Sequence, residues 1–112
     1  MTIQEVIDFI KIEREQLKAR FGAYDDEQKA ALSSTVKLME EVGELSDEIL
    51  KHNGRQRQDK IDAKGADEDN LAKEFADVIL STTMLAVEMN IDLEAALKLK
   101  MDKIDQRYSA KD

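Results

Sequence analysis

Asp77 lies inside Phe75-Ala76-Asp77-Val78-Ile79-Leu80, a run otherwise so apolar that it belongs in the core of a helical protein. A carboxylate placed there needs a partner. Glu74 stands three residues upstream, a spacing that on an α-helix puts two side chains on nearly one face, a turn apart. Glu41 and Glu44, within Glu40-Glu41-Val42-Gly43-Glu44, repeat that spacing in a second segment with its own apolar pattern. Two such helices face to face would aim four carboxylates at one point. Left alone, two like charges ~5 Å apart repel by about 3 kcal/mol at an effective dielectric of ~20, and a bound cation reverses the sign of that term. An all-oxygen donor set with neither thiolate nor imidazole suits Mg²⁺, with Mn²⁺ as a substitute, better than Zn²⁺. A di-iron bundle normally wants two Glu-x-x-His pairs. The single histidine, His52, has Ile49 three residues before it.

Near the end of the chain Lys100, Lys103 and Arg107 form a basic stripe beside an apolar one. Lys103 and Arg107 are the pair placed to meet phosphates, because Mg²⁺ usually binds with carboxylates on one side and phosphate oxygens on the other. Plainer readings exist for each group. Glu40, Glu41, Glu44, Asp47 and Glu48 all fall opposite the apolar arc of their helix and alone fit a solvated face. Cations near a helix C-terminus complement its dipole. The apolar surroundings of Glu74 and Asp77 weigh against a merely solvated role for that pair.

The elements that position these residues are helices. Proline is absent and apolar residues recur at three and four, which gives an all-α fold of four main helices in one domain over residues 1–112. The first is capped by Thr2 with Glu5 and stops near Gly22. The second runs from about Asp25, paired with Gln28, to His52 and the Asn53-Gly54 stop. It carries a wide apolar arc of Leu32, Val36, Leu38, Met39, Val42, Leu45, Ile49 and Leu50. A polar connection follows over 53–69. The third, from about Asn70 to Met89, is apolar nearly all round and is expected at the centre. Asn90 stops it, Asp92 caps the fourth, and Leu93, Leu97, Met101, Ile104 and Tyr108 share one face of that last helix. Phe9, Phe75, Met84, Met89 and Met101 are expected in the core.

Twenty-five acidic residues against 17 basic ones give a net charge of -8, which repels nucleic acid polymers and anionic membranes. No cysteine is present, so disulfides and thiolate chemistry are excluded. With no basic-then-apolar start and no run of 18 apolar residues, the expectation is a cytoplasmic protein.

Glu40-Glu41-Val42-Gly43-Glu44-Leu45 followed by Glu74-Phe75-Ala76-Asp77-Val78-Ile79-Leu80 resembles the paired signature of the MazG-like nucleotide pyrophosphohydrolases, of the all-α nucleoside triphosphate pyrophosphatase superfamily. The resemblance extends over about residues 30–108. It implies Mg²⁺-dependent cleavage of a nucleoside triphosphate between its α and β phosphates, giving monophosphate and pyrophosphate, in the service of nucleotide pool sanitation. It further implies Glu41, Glu44, Glu74 and Asp77 as metal ligands, Glu40 as a residue that supports the site or orients water, and Lys103 and Arg107 as phosphate contacts. A homodimer or homotetramer, in which copies complete one bundle, is implied too, and the wide apolar arcs fit it. Phosphoribosyl-ATP pyrophosphohydrolase, a relative with similar acidic motifs, is the alternative enzyme. A non-catalytic helical interaction module is the alternative of another class.

Overall fold

The computed structural model describes residues 1–22, 26–54 and 68–109, which form four helices and, among the described residues, no strand. Helix α1 (Ile3–Phe21) starts where the Thr2 hydroxyl oxygen accepts the Glu5 N–H at 3.1 Å. It ends at Gly22, whose φ of 61° lets its N–H reach back to Lys18 O at 3.0 Å. Helix α2 (Glu27–His52) is capped by Asp26, which accepts the Lys29 N–H at 3.0 Å. The start expected at Asp25 therefore moves on by one residue, because the second of two consecutive aspartates meets the free N–H; Asp25 itself lies outside the described residues. The helix closes as expected, with the Asn53 N–H on Ile49 O at 3.0 Å and Gly54 at a φ of 65°.

Helix α3 (Glu68–Glu88) begins two residues earlier than Asn70, and most of the connection read over 53–69 lies outside the described residues. Its end is a Schellman arrangement: Asn90 turns left-handed at a φ of 57°, its N–H reaches Val87 O at 3.1 Å, and the Ile91 N–H reaches Ala86 O at 2.9 Å. Asp92 then caps helix α4 (Leu93–Ser109) by accepting the Ala95 N–H at 3.0 Å. Among the described residues no helix is long and apolar enough to cross a membrane.

Helix α3 is central, as its sequence indicates, and packs against both α1 and α2. Ile7, Ile10, Ala30 and Met84 are the buried apolar residues and Thr83 is fully enclosed. Two expectations fail within a single chain. Phe9, Phe75, Met89 and Met101, read as core, are 57%, 49%, 58% and 63% exposed. For the residues of α3 and α4 the physical reason is that α4 does not fold back along α3; it buries no residue and touches the other helices only slightly, while Phe9 borders an open cleft between α1, α2 and α3.

The second correction concerns α2, which turns its acidic face inward. Its buried residues are Ala30, Ser34, Glu41, Glu48 and Lys51, while Leu32, Val36, Met39 and Val42 look outward. Of the acidic run, Glu41 and Glu48 are thus buried and not part of a solvated face, whereas Glu40 and Glu44 are exposed.

Candidate active site

The inward polar face of α2 meets α3. Glu41, Glu44 and Glu48 lie close enough to Glu74 to act on it electrostatically, and Ser34, further toward the start of α2, does the same to Glu88 at the end of α3. The two helices accordingly run antiparallel. Their contact places one carboxylate oxygen each of Glu41, Glu44 and Glu74 within 4.8 Å of one another. Three of the four carboxylates singled out by spacing are brought together. Asp77 is half-buried rather than sealed in the core. It stays outside that triad but remains near enough for its charge to act on Glu74.

Burial is the main cause of a raised Glu74 pKa, followed by the charges of Glu44, Asp77, Glu41 and Glu48, in that order. Glu41 is buried, and its Oε1 accepts from Lys37 Nζ at 2.9 Å. That hydrogen bond, with the Glu41 charge behind it, holds the Lys37 ammonium above the ordinary lysine range. The other oxygens are unsatisfied: Oε2 of Glu41 and Oε2 of Glu74 are both buried without a hydrogen-bond partner. Buried acceptors rarely stay unpaired. Two of them in a triad of carboxylates, with one lysine ammonium on its edge, form a donor set that fits a hard divalent cation.

Beside the triad, a cleft of about 610 Å³ opens between α1, α2 and α3, lined by Phe9, Leu17, Ser34, Lys37, Leu80 and Met84 among others. Lys37 belongs to both, so cleft and carboxylates are contiguous. Lys103 and Arg107 are exposed on α4, and no cation is among the groups that act on Glu74. Within one chain the structure does not bring them to the triad.

Sequence reasoning passed over the rest of this seam. Glu48 and Lys51 form a buried ion pair, Lys51 Nζ to Glu48 Oε1 at 2.8 Å. Glu88 is buried with neither carboxylate oxygen in hydrogen-bonding geometry. A signal for the seam does exist: Ser34, Glu41 and Glu48 recur every seven residues, as do Lys37, Glu44 and Lys51, a heptad-like stripe written in polar residues.

Burial raises the Glu88 pKa, against the opposing pull of the Ser34 hydroxyl and the Arg14 guanidinium. The folded chain holds this proton more tightly than the unfolded one. The stability it contributes is fully present below the unfolded pKa and is lost as pH rises through the folded pKa, so burying this carboxyl costs stability at neutral pH. Glu88→Gln is therefore expected to raise the melting temperature at pH 7 by about 4 °C, for ~1 kcal/mol. The gain should vanish near pH 4. A lower melting temperature at pH 7 would show instead that attraction to Arg14 outweighs desolvation.

An all-α protein with a carboxylate triad between two antiparallel helices is the class that fold and site define. The model of the MazG nucleotide pyrophosphohydrolase domain matches residues 29–110, which takes in all but the first two residues of α2, all of α3 and α4, and every candidate residue. No curated protein and no solved structure matches the chain significantly. The chain belongs to the MazG nucleotide pyrophosphohydrolase family.

Proposed function

We propose that the protein hydrolyses a nucleoside or deoxynucleoside triphosphate to the monophosphate and pyrophosphate, using Mg²⁺ held by Glu41, Glu44, Glu74 and Asp77. The observation that carries this reading is the pair of orphaned, buried oxygens on Glu41 and Glu74 inside a triad spanning 4.8 Å. When bound, Mg²⁺ neutralises phosphate charge and polarises the phosphoryl group under attack. Lys37 holds one Glu41 oxygen and so leaves the other for the metal. Asp77, a turn from Glu74, supplies the fourth carboxylate, and exposed Glu40 orients water or supports the site from outside. The contiguous cleft is large enough for a nucleoside. A role in nucleotide pool sanitation is the purpose that family membership favours.

The test is a hydrolysis panel of canonical and modified nucleotides with Mg²⁺, phosphoribosyl-ATP included. Turnover of one or more triphosphates to monophosphate supports the reading. Exclusive use of phosphoribosyl-ATP would assign the alternative enzyme, and no turnover together with no Mg²⁺ binding would favour an interaction module.

Lys103 and Arg107 are proposed as phosphate contacts. Lys103→Ala or Arg107→Ala should then lower kcat/KM tenfold or more, roughly 1.4 kcal/mol of transition-state stabilisation, with little change in melting temperature. A dipole role would give the reverse, a loss of ~0.3–1 kcal/mol of stability with kinetics intact. Homo-oligomerisation, dimer or tetramer, belongs to the same reading: the outward apolar face of α2 and the uncovered α4 need a partner. Sedimentation should show at least a dimer.

A further inference from the structure

We propose that Glu48 is a further positioning residue of the site: Lys51 holds one of its oxygens, and the other accepts a hydrogen bond from a water in the hydration shell of the cation held by Glu41, Glu44 and Glu74. The inference rests on the hydrolase reading above and extends the site one turn of α2 beyond Glu44.

The seam between α2 and α3 contains the same unit twice. Lys37 Nζ meets Glu41 Oε1 at 2.9 Å, and Oε2 of Glu41 is buried without a hydrogen-bond partner. Lys51 Nζ meets Glu48 Oε1 at 2.8 Å, and Oε2 of Glu48 is likewise buried and unpartnered. Glu41 and Glu48 are each 6% exposed and stand seven residues apart, two turns of helix, so both lie on the face of α2 turned to α3. Glu44 falls between them in sequence. Across the seam Glu74 has a third buried, unpartnered oxygen, and the charges of Glu41, Glu44 and Glu48 all act on it. In both units a lysine takes one carboxylate oxygen and leaves the other free.

Stability alone does not account for the second unit. A buried ion pair is often no better than an apolar pair of similar volume, because both charges must be desolvated, and an acceptor left bare adds to that cost. Glu48 stands outside the triad that spans 4.8 Å, so it does not complete the direct ligand set. Mg²⁺, however, usually keeps several of its waters, and a water in a buried polar site needs two to four partners. A free carboxylate oxygen one turn from Glu44, with its charge already felt at Glu74, supplies one of them. Lys51 fixes the orientation of Glu48 by holding the other oxygen and provides the counter-charge that its burial requires. The bare oxygens of Glu88 belong elsewhere: Ser34 and Arg14 are the groups that act on that residue, toward the other end of the seam.

Removing the pair as a whole separates positioning from packing. Lys51→Met/Glu48→Leu keeps the seam filled while deleting both charges and the free oxygen. Mn²⁺ titration, followed by the electron paramagnetic resonance of the unbound ion, is expected to show the folded double variant binding ten- to a hundredfold more weakly than the wild type, the usual consequence of deleting a group that supports a metal's inner ligands. The value of kcat/KM with Mg²⁺ should fall by a similar factor. Unchanged Mn²⁺ affinity in the folded double variant would overturn the proposal and leave the pair a structural one. Should that variant fail to fold, Lys51→Leu/Glu48→Met carries the same expectation and the same contrary result. A wild type that binds Mn²⁺ but turns over no triphosphate would bring down the hydrolase reading and leave the affinity comparison to decide the role of Glu48. No Mn²⁺ binding by the wild type would overturn both.

Discussion

Replacing Glu41 by Gln is expected to lower turnover by about 10²–10³-fold while the protein stays folded, because the change removes charge from the buried member of the triad, whose second oxygen has no protein partner. Glu41 is 6% exposed, and its Oε2 has no protein partner. The substitution keeps volume and shape, so packing against α3 is preserved. It also relieves repulsion within the triad, so the metal-free variant should melt no lower than the wild type. Mg²⁺ separates this account from a purely structural one. At a concentration of 100 times its Kd, a cation that binds only the folded state stabilises by about 2.7 kcal/mol. The wild type should show such a Mg²⁺-dependent rise in melting temperature, and Glu41→Gln and Glu74→Gln should lose most of it. Glu40→Gln, at an exposed position outside the triad, should keep it. An equal Mg²⁺ response in all four proteins would remove the triad as the metal site.

Lys51→Met is expected to cost about 3–5 kcal/mol, because it leaves the Glu48 charge buried with its ion partner gone. Side chains of Lys51 and Glu48 are only 4% and 8% exposed, and Glu48 Oε2 is already without a hydrogen bond. For a domain of this size that loss lowers the melting temperature by more than ~10 °C. Removing both charges, as Lys51→Met/Glu48→Leu, should recover most of the stability, since an apolar pair of similar volume replaces an ion pair that had to be desolvated. Thermal melts of the two single variants and the double one form the cycle that tests this. A double variant as unstable as Lys51→Met alone would mean that Lys51 acts through packing and not through Glu48. The pair also bears on the site: Glu48 is among the charges that raise the Glu74 pKa, and loss of Lys51 leaves that influence uncompensated.

Helix boundaries were legible because they are written in local chemistry. Thr2, Gly22, Asn53, Gly54, Asn90 and Asp92 all act at helix ends as their residue types dictate, and the shifts are short, from Asp25 to the neighbouring Asp26 and from Asn70 to Glu68. The triad was legible because spacings of three on two helices are geometry, whatever the helices later pack against. The facing of α2 was not. A helical wheel separates an apolar arc from an acidic one, but it does not say which of the two meets the chain's own α3. Taking the apolar arc as inward follows from hydrophobic burial within one chain. In this protein the acidic arc is inward, and Leu32, Val36, Met39 and Val42 are left for another body. The same assumption placed Phe75 and Met101 in the core, whereas α4 stands off and covers neither.

The central claim is that the α2 and α3 carboxylates direct water to the α phosphorus of a nucleoside triphosphate. Hydrolysis in ¹⁸O-labelled water with Mg²⁺, with products resolved by mass spectrometry, tests it most directly. Attack at the α phosphorus puts the label in the monophosphate and leaves the pyrophosphate unlabelled, and Glu41→Gln should suppress both products together. Label in pyrophosphate, or release of diphosphate and inorganic phosphate in place of monophosphate and pyrophosphate, would contradict it.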